Sequence, residues 1–326
     1  MSRRALITGV AGQDGTYLCD LLLSRGYEVW GIVGPAPGDF RERAAAIDGL
    51  HALEADMTDT DSLLAAVETS RPDEIYNLAS VSSVAESWTA SVVDAEVNAV
   101  GLVRLLEALR LFAPAARLFQ ASSADMFGET LVQPQTEATP LCPRSPYAIA
   151  KTYAHTMVRA YRESYHVYAA CGILYNHESP LRSPQFVTAK ITRAAARIKL
   201  GLESEVRLGN LDARRDWGFA GDYVEAMWLM LQQDLPDDFI VASGETHSVR
   251  EFCQAAFEHV GLDWERHVVV DPKFFRPVDP TVLCGDPSKA HRVLGWAPKV
   301  GFRELVGMMI DTDLVREAPA LGSDRG

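Results

Sequence analysis

At 326 residues, with 48% hydrophobic and 23% charged residues, the chain is large enough for one big α/β domain or one domain with a second lobe. A formal net charge of −13 argues against a nucleic-acid-binding surface and does nothing to favour anionic membranes. No apolar run is long enough to cross a bilayer, and the glycines at 9 and 12 interrupt the first apolar stretch too early for a secretory signal, so a cytoplasmic location is expected.

The first apolar run, Ala5-Leu6-Ile7, leads into Thr8-Gly9-Val10-Ala11-Gly12-Gln13-Asp14-Gly15 and then a helix-like segment, Tyr17 to Leu23. A glycine-rich turn between strand and helix lets backbone N–H groups and a helix N-terminus approach a pyrophosphate closely. Further strands are predicted at Glu28–Val33, His51–Glu54, Glu74–Leu78, Arg117–Ala121 and Val167–Ile173. Gly34-Pro-Ala-Pro-Gly38 reads as a loop after the second strand. Asp56, after the third strand, suits an adenine amino group, or caps the following helix, Asp61–Thr69. A long helix is predicted at Val92–Leu111, with Val97, Val100, Leu102, Val103, Leu105, Leu106 and Leu109 forming a broad buried face before Pro114 stops it. The alternation predicts an α/β fold, a doubly wound parallel sheet with helices on both faces.

The fifth strand runs into Ser122-Ser123-Ala124-Asp125, at the carboxyl edge where open α/β sheets bind ligands; turn capping is the alternative for both serines. Tyr147 and Lys151 follow, one helical turn apart on the same face. A nearby cation lowers a tyrosine's pKa, so the phenol would serve as a general base towards an alcohol. After about Leu174 the character changes. Asn176 to Pro184 is turn-rich, Lys190–Leu200 reads as a basic helix, and Gly209 to Trp217 is dense in Asn, Asp and Arg. A helix at Tyr223–Gln233 and a strand at Asp238–Ala242 return to the main sheet, and Arg276-Pro277 and Asp286-Pro287 mark turns. Five scattered cysteines (Cys19, Cys142, Cys171, Cys253 and Cys284) and eight histidines show no metal-ligand spacing; unpaired thiols and no metal are expected.

Longer stretches carry a resemblance. Ala5-Leu-Ile-Thr-Gly-Val-Ala-Gly-Gln-Asp-Gly15, Pro143-Arg-Ser-Pro-Tyr147, Gly172-Ile-Leu-Tyr-Asn-His-Glu-Ser-Pro180 and above all Gly209-Asn-Leu-Asp-Ala-Arg-Arg-Asp-Trp217 resemble the extended short-chain dehydrogenases, and within them the GDP-mannose 4,6-dehydratases. The resemblance implies a Rossmann-type dinucleotide-binding domain over residues 1–175, with 220–244 returning to it. A smaller mixed α/β lobe over 176–326 would bind the nucleotide sugar. The implied catalytic residues are Ser123, Asp125, Tyr147 and Lys151. Asn176, Val187, Lys190, Arg215, Arg276 and Asp279 would hold the nucleoside diphosphate, solvated surface charge being the alternative for the cations. Cofactor contacts are expected from Gly9, Gly12, Gln13, Asp14, Gly15, Arg41, Asp56, Met57, Leu78 and Ala79, besides Tyr147 and Lys151. The cofactor is NADP by resemblance, or NAD, and a homodimer is expected, with a tetramer as the alternative.

Four positions depart from the family pattern. Asp125 stands where the dehydratases show Glu, one methylene longer. Gly34-Pro-Ala-Pro37 replaces arginines and serines suited to a 2′-phosphate, leaving Arg41 and Arg43 farther along. Ser80-Val81-Ser82 replaces Ala-Gln-Ser, and Arg182-Ser-Pro-Gln185 alters the nucleotide loop. The expected activity is a nucleotide-sugar 4,6-dehydratase acting on GDP-mannose. A 4-keto reductase or 4-epimerase on the same scaffold is the main alternative, and a cofactor-binding regulatory protein without turnover the other.

Overall fold

The computed structural model describes residues 2–34, 40–275 and 282–319. Its first part runs β1 (Arg4–Thr8), α1 (Gln13–Ser24), β2 (Glu28–Val33), α2 (Phe40–Ala45), β3 (Leu50–Glu54), α3 (Thr60–Ser70), β4 (Glu74–Asn77), α4 (Val84–Ser87), α5 (Ser91–Ala95), α6 (Gly101–Phe112), β5 (Arg117–Ser123), α7 (Pro146–Tyr165) and β6 (Ala169–Leu174). There follow β7 (Asn176–Glu178), α8 (Val187–Lys199), β8 (Val206–Leu208), β9 (Arg214–Arg215), β10 (Trp217–Phe219), α9 (Ala220–Met230), β11 (Asp238–Val241), β12 (His247–Ser248), α10 (Val249–His259), β13 (Val268–Val270), β14 (Val282–Leu283), α11 (Ser288–Leu294) and α12 (Phe302–Glu317).

Seven strands form one parallel sheet in the order β11-β6-β5-β4-β1-β2-β3. Alternation along β1 sends Ala5 and Ile7 into a core with Leu18 and Leu22 of α1 and Met227 and Met230 of α9. Leu6 points the other way, into a core with Leu63 and Val67 of α3 and Leu102 and Leu106 of α6. Strand order reverses between β1 and β4, which opens a crevice at their carboxyl ends. A separate core joins α8, α10 and α12 around Ile191, Trp217, Phe252, Phe257, Leu305 and Ile310. Three small sheets, β10-β7, β12-β9-β14 and β13-β8, stitch the C-terminal segments together. Among the described residues no helix is long and apolar enough to cross a membrane.

The predicted helix Val92–Leu111 is interrupted by a π-helical stretch, Glu96–Val100, between α5 and α6. The wider turn rotates the apolar stripe, so Val100, expected in the buried face, is exposed while Leu102, Leu105, Leu106 and Leu109 are buried. Gly101 then passes close to Met57, whose Cβ and carbonyl O lie 3.0 Å from where a Cβ on Gly101 would stand. Helix α8 starts three residues before the predicted Lys190, which puts Val187 in its first turn.

Candidate active site

The crevice begins with the turn after β1. Gly9 has φ +68°, and a Cβ there would stand 3.0 Å from Ala79 N and Cα. A Cβ on Gly15 would stand 2.4 Å from Gly9 O, so close packing of α1 on the turn demands glycine. A Cβ on Gly12 would meet only Gly9 O at 3.2 Å and otherwise fill open space above α1. Gly12 caps α1 without a side chain, so the first-turn amides face that space. Such a cradle fits a pyrophosphate.

The turn is anchored by residues that periodicity did not single out. Thr8 Oγ1 accepts the amides of Leu78 (3.0 Å) and Ala79 (2.9 Å) and donates to Asn77 Oδ1 at 2.8 Å. Asn77 Nδ2 donates in turn to Gln120 Oε1 at 2.7 Å. This buried chain ties β1, β4 and β5 together at the crevice; its sequence signal is a polar residue near the carboxyl end of each apolar strand.

The side chains of Gln13 and Asp14 turn towards β7. Gln13 Nε2 donates to His177 O at 3.1 Å, and Asp14 Oδ2 lies 2.7 Å from His177 Nε2. Their backbone amides, in the first turn of α1, have no partner within the helix. Asp56 does not cap α3: its Oδ1 accepts Thr58 N at 2.9 Å, while Asp59 caps the helix by accepting Asp61 N. Met57 is buried, and Arg41 pairs with Glu54 at 2.8 Å on the surface.

The catalytic candidates converge at the end of β5. Alternation separates the two serines: Ser122 Oγ bonds His155 Nδ1 at 3.0 Å, whereas Ser123 Oγ accepts Asp125 N at 3.2 Å and donates to Asp125 Oδ2 at 3.4 Å. Capping is therefore true of Ser123. Helix α7 is capped by Ser145, whose Oγ accepts Ala148 N at 3.2 Å, with Pro146 in the first turn. Tyr147 and Lys151 lie on its buried face, with Lys151 Nζ 5.7 Å from the Tyr147 ring centroid and donating to Ala121 O at 3.0 Å. The Ser123 hydroxyl lies close enough to the Tyr147 phenol to favour its ionised form.

The expected lowering of the Tyr147 pKa is not found. Burial, then the charges of Asp125 and Asp94, push the phenol well above its ordinary value, and the nearby Ser123 hydroxyl only partly opposes them. Burial also brings Lys151 down to about 8, against the pull of Asp94 and Asp14. Desolvation outweighs pairing because both groups are enclosed and the ammonium is directed to the Ala121 carbonyl. Asp94 is a further buried carboxylate here, bonded by Asn98 Nδ2 at 2.9 Å, and Asn98 Oδ1 accepts Ser80 Oγ at 2.8 Å.

Of the expected nucleoside-diphosphate contacts, Asn176 lies on β7, two residues beyond Leu174, which pairs with Ser123. Arg215 is buried on β9 and its Nη1 donates to Arg214 O at 2.8 Å. Next to it, Asp216 accepts Ser243 N at 2.7 Å, Ser243 Oγ at 2.6 Å and Gly244 N at 2.9 Å, fixing the surrounding loops. Lys190 Nζ donates to Arg207 O at 2.6 Å and sits 3.9 Å from the Phe274 ring centroid. Arg276, Asp279 and the turn at Arg276-Pro277 lie outside the described residues, as do residues 35–39 of the loop after β2.

A family model described as GDP-mannose 4,6 dehydratase matches residues 6–309. The chain belongs to the GDP-mannose 4,6-dehydratase family. It is 50% identical over 325 residues to GDP-mannose 4,6 dehydratase 1 of Arabidopsis thaliana, covering 95% of this chain and 89% of that protein. Against the human GDP-mannose 4,6 dehydratase it is 44% identical over 345 residues, covering 97% of this chain and 93% of that one. A solved UDP-glucose 4-epimerase of Thermus thermophilus, in complex with NAD, superposes with a TM-score of 0.85 at 31% identity, covering 95% of this chain and 98% of that chain. The GDP-mannose 4,6-dehydratase family thus spans both the parallel sheet and the C-terminal segments of this chain.

Proposed function

We propose that this chain converts GDP-mannose to GDP-4-keto-6-deoxymannose, with a nicotinamide cofactor that is regenerated in each cycle. The observation that carries the reading is Ser123, Asp125, Tyr147 and Lys151 gathered at the end of β5, in a chain half identical to a dehydratase over nearly its whole length. Gly9, Gly12, the amides of Gln13, Asp14 and Gly15, and the backbone at Leu78 and Ala79 would hold the cofactor. Asp56 and Met57 would border its adenine. When bound, an oxidised nicotinamide would supply the hydride acceptor that C4 oxidation needs and the hydride donor for C6. Tyr147 would accept the C4 hydroxyl proton, with Ser123 bonded to O4 and Lys151 holding the ribose. The ketone at C4 acidifies C5–H, and Asp125 would remove that proton and pass one to the leaving C6 hydroxyl.

Residues 176–326, apart from 220–244, which return to the dinucleotide-binding domain, would form the lobe that takes the nucleotide sugar. Asn176, Val187, Lys190, Arg215, Arg276 and Asp279 are proposed to bind the nucleoside diphosphate. Incubation with GDP-mannose and no added reductant should give a product lighter by one water. Recovery of an isomer, or stoichiometric consumption of reduced cofactor with a keto-sugar, would replace this reading by the epimerase or the reductase. The shorter acid at Asp125 is the observation that favours those alternatives.

Arg215→Ala should weaken binding of bare GDP by roughly 1.5–3 kcal/mol, the worth of a charge-assisted hydrogen bond. Unchanged affinity in calorimetry would make Arg215 structural. For the cofactor, the Arg41–Glu54 pair neutralises the charge a 2′-phosphate would use. Parallel titrations should therefore favour NADP over NAD by less than about 100-fold, roughly 2.7 kcal/mol; a larger preference would contradict the assignment.

A homodimer is the proposed assembly. Val92 and Val93 on α5, Val100, and Ile149 and Tyr153 on α7 are exposed on helices that pack side by side, forming an apolar strip. Sedimentation should show a dimer that Ile149→Asp dissociates; a monomeric wild type would end the idea.

A further inference from the structure

We propose that His177, held as an imidazolium between two acceptors, is the positioning residue that ties the cofactor-binding turn to the strand carrying Asn176. The inference rests on the proposed function for the roles of those two segments, but its geometry stands apart. His177 Nδ1 lies 2.7 Å from Tyr175 O, a carbonyl that can only accept. Its Nε2 lies 2.7 Å from Asp14 Oδ2. A neutral imidazole has one N–H and would leave one of these contacts without a proton; an imidazolium supplies both.

The surroundings support the charged ring. Asp14 is held below its ordinary pKa, against burial, chiefly by His177 and with help from Gln13 and Arg182, so the carboxyl is not the proton donor. His177 is raised: burial and the like charge of Arg182 oppose the proton, but Asp14 and the Tyr175 carbonyl outweigh them. From α9, the Tyr223 ring stacks on the imidazole at 4.7 Å between centroids. From β10, Gly218 faces it in register and brings no charge. Gln13 completes the tie, donating to His177 O at 3.1 Å and accepting Ser179 Oγ at 2.8 Å.

The bridge has a pH window. His177 has a raised folded pKa, so its contribution is fully present below the ordinary 6.5 and is lost as pH rises through the folded value. Asp14 has a lowered one, so its contribution is present above 3.8 and is lost as pH falls through the folded value. Lys151 titrates near 8 and complicates any alkaline limb of turnover, so turnover is not the readout.

The test uses the full chain with ¹⁵N-labelled histidine, the His177 signal being assigned by its loss in His177→Gln. The ring should show both nitrogens protonated at neutral pH and titrate above 6.5. His177→Gln retains a donor towards Asp14 without the charge, and Asp14→Asn removes the carboxylate's negative charge while keeping one oxygen that can accept. Each should weaken both bare GDP and the cofactor by about tenfold, and the double variant should lose little more, as expected of one shared coupling. Melting temperatures run alongside: a lower melting point with both affinities unchanged would mean a structural contact and overturn the proposal. A ring that is neutral at pH 7 would overturn it as well. If the wild type binds no GDP, the proposed function fails, while the ring spectrum and the cofactor titration still decide the role of His177.

Discussion

Tyr147→Phe should reduce turnover by about 10² to 10⁴-fold while leaving the melting temperature and cofactor affinity close to wild type. The phenol ring lies on the buried face of α7 and phenylalanine fills the same space, including its contact with the Lys151 ammonium. Only the oxygen is lost, beside the Ser123 hydroxyl. That oxygen carries the proton in the proposed reaction, and burial with two nearby carboxylates keeps it protonated at rest. The variant should accordingly bind GDP-mannose and fail at the first proton transfer, with no reduced cofactor formed in a single turnover. Retention of more than half the wild-type rate would remove Tyr147 from the mechanism.

Asp125→Asn should stop the reaction at a later point. Tyr147 and Lys151 suffice for C4 chemistry, so the first hydride transfer should proceed and reduced cofactor should build up, visible by its absorbance. Exchange of the C5 hydrogen with deuterated water, expected in the wild type, should disappear, because a carboxylate is needed where an acidified C–H is broken. The Asn side chain can still accept Ser123 Oγ–H and Asp125's backbone bond to Ser123 is untouched, so the local 3₁₀ turn should persist. An acid one methylene shorter than the family's usual Glu can be misplaced by about 1 Å, which can cost about 100-fold, so a slow wild type with full C5 exchange remains consistent with the assignment. A wild type that turns over its substrate without deuterium at C5 would reject the dehydratase.

Much of this was legible along the chain. Ala5-Leu6-Ile7 followed by the glycine turn predicted β1 and α1, and the six expected strands lie in one parallel sheet together with the returning Asp238–Val241. The expected helix over 92–111 is correct in place and in the leucines of its buried face, but Val100 is exposed, because hydrophobic periodicity assumes 3.6 residues per turn and Glu96–Val100 is π-helical. The short strands β7 to β10 and β12 to β14 were not foreseen except for the segments containing them, since two- and three-residue ladders carry no periodic signal. The position of Asp56 after the third strand suits a cap of α3, but that role falls to Asp59, which lies next to the helix start.

What the sequence determined by itself depends on neighbours within a few residues. Gly9 and Gly15 are required by a positive φ and by contact within their own turn and helix start, and Tyr147 and Lys151 share a face because they are one helical turn apart. The ionisation of the site was decided by tertiary structure alone. Thr8 meets Asn77 across 69 positions and Asp14 meets His177 across 163. Burial raises Tyr147 and lowers Lys151 although the two are sequence neighbours that pairing alone would have tuned the other way. Desolvation and long-range hydrogen bonds act through space, and their sign depends on which groups the fold encloses together.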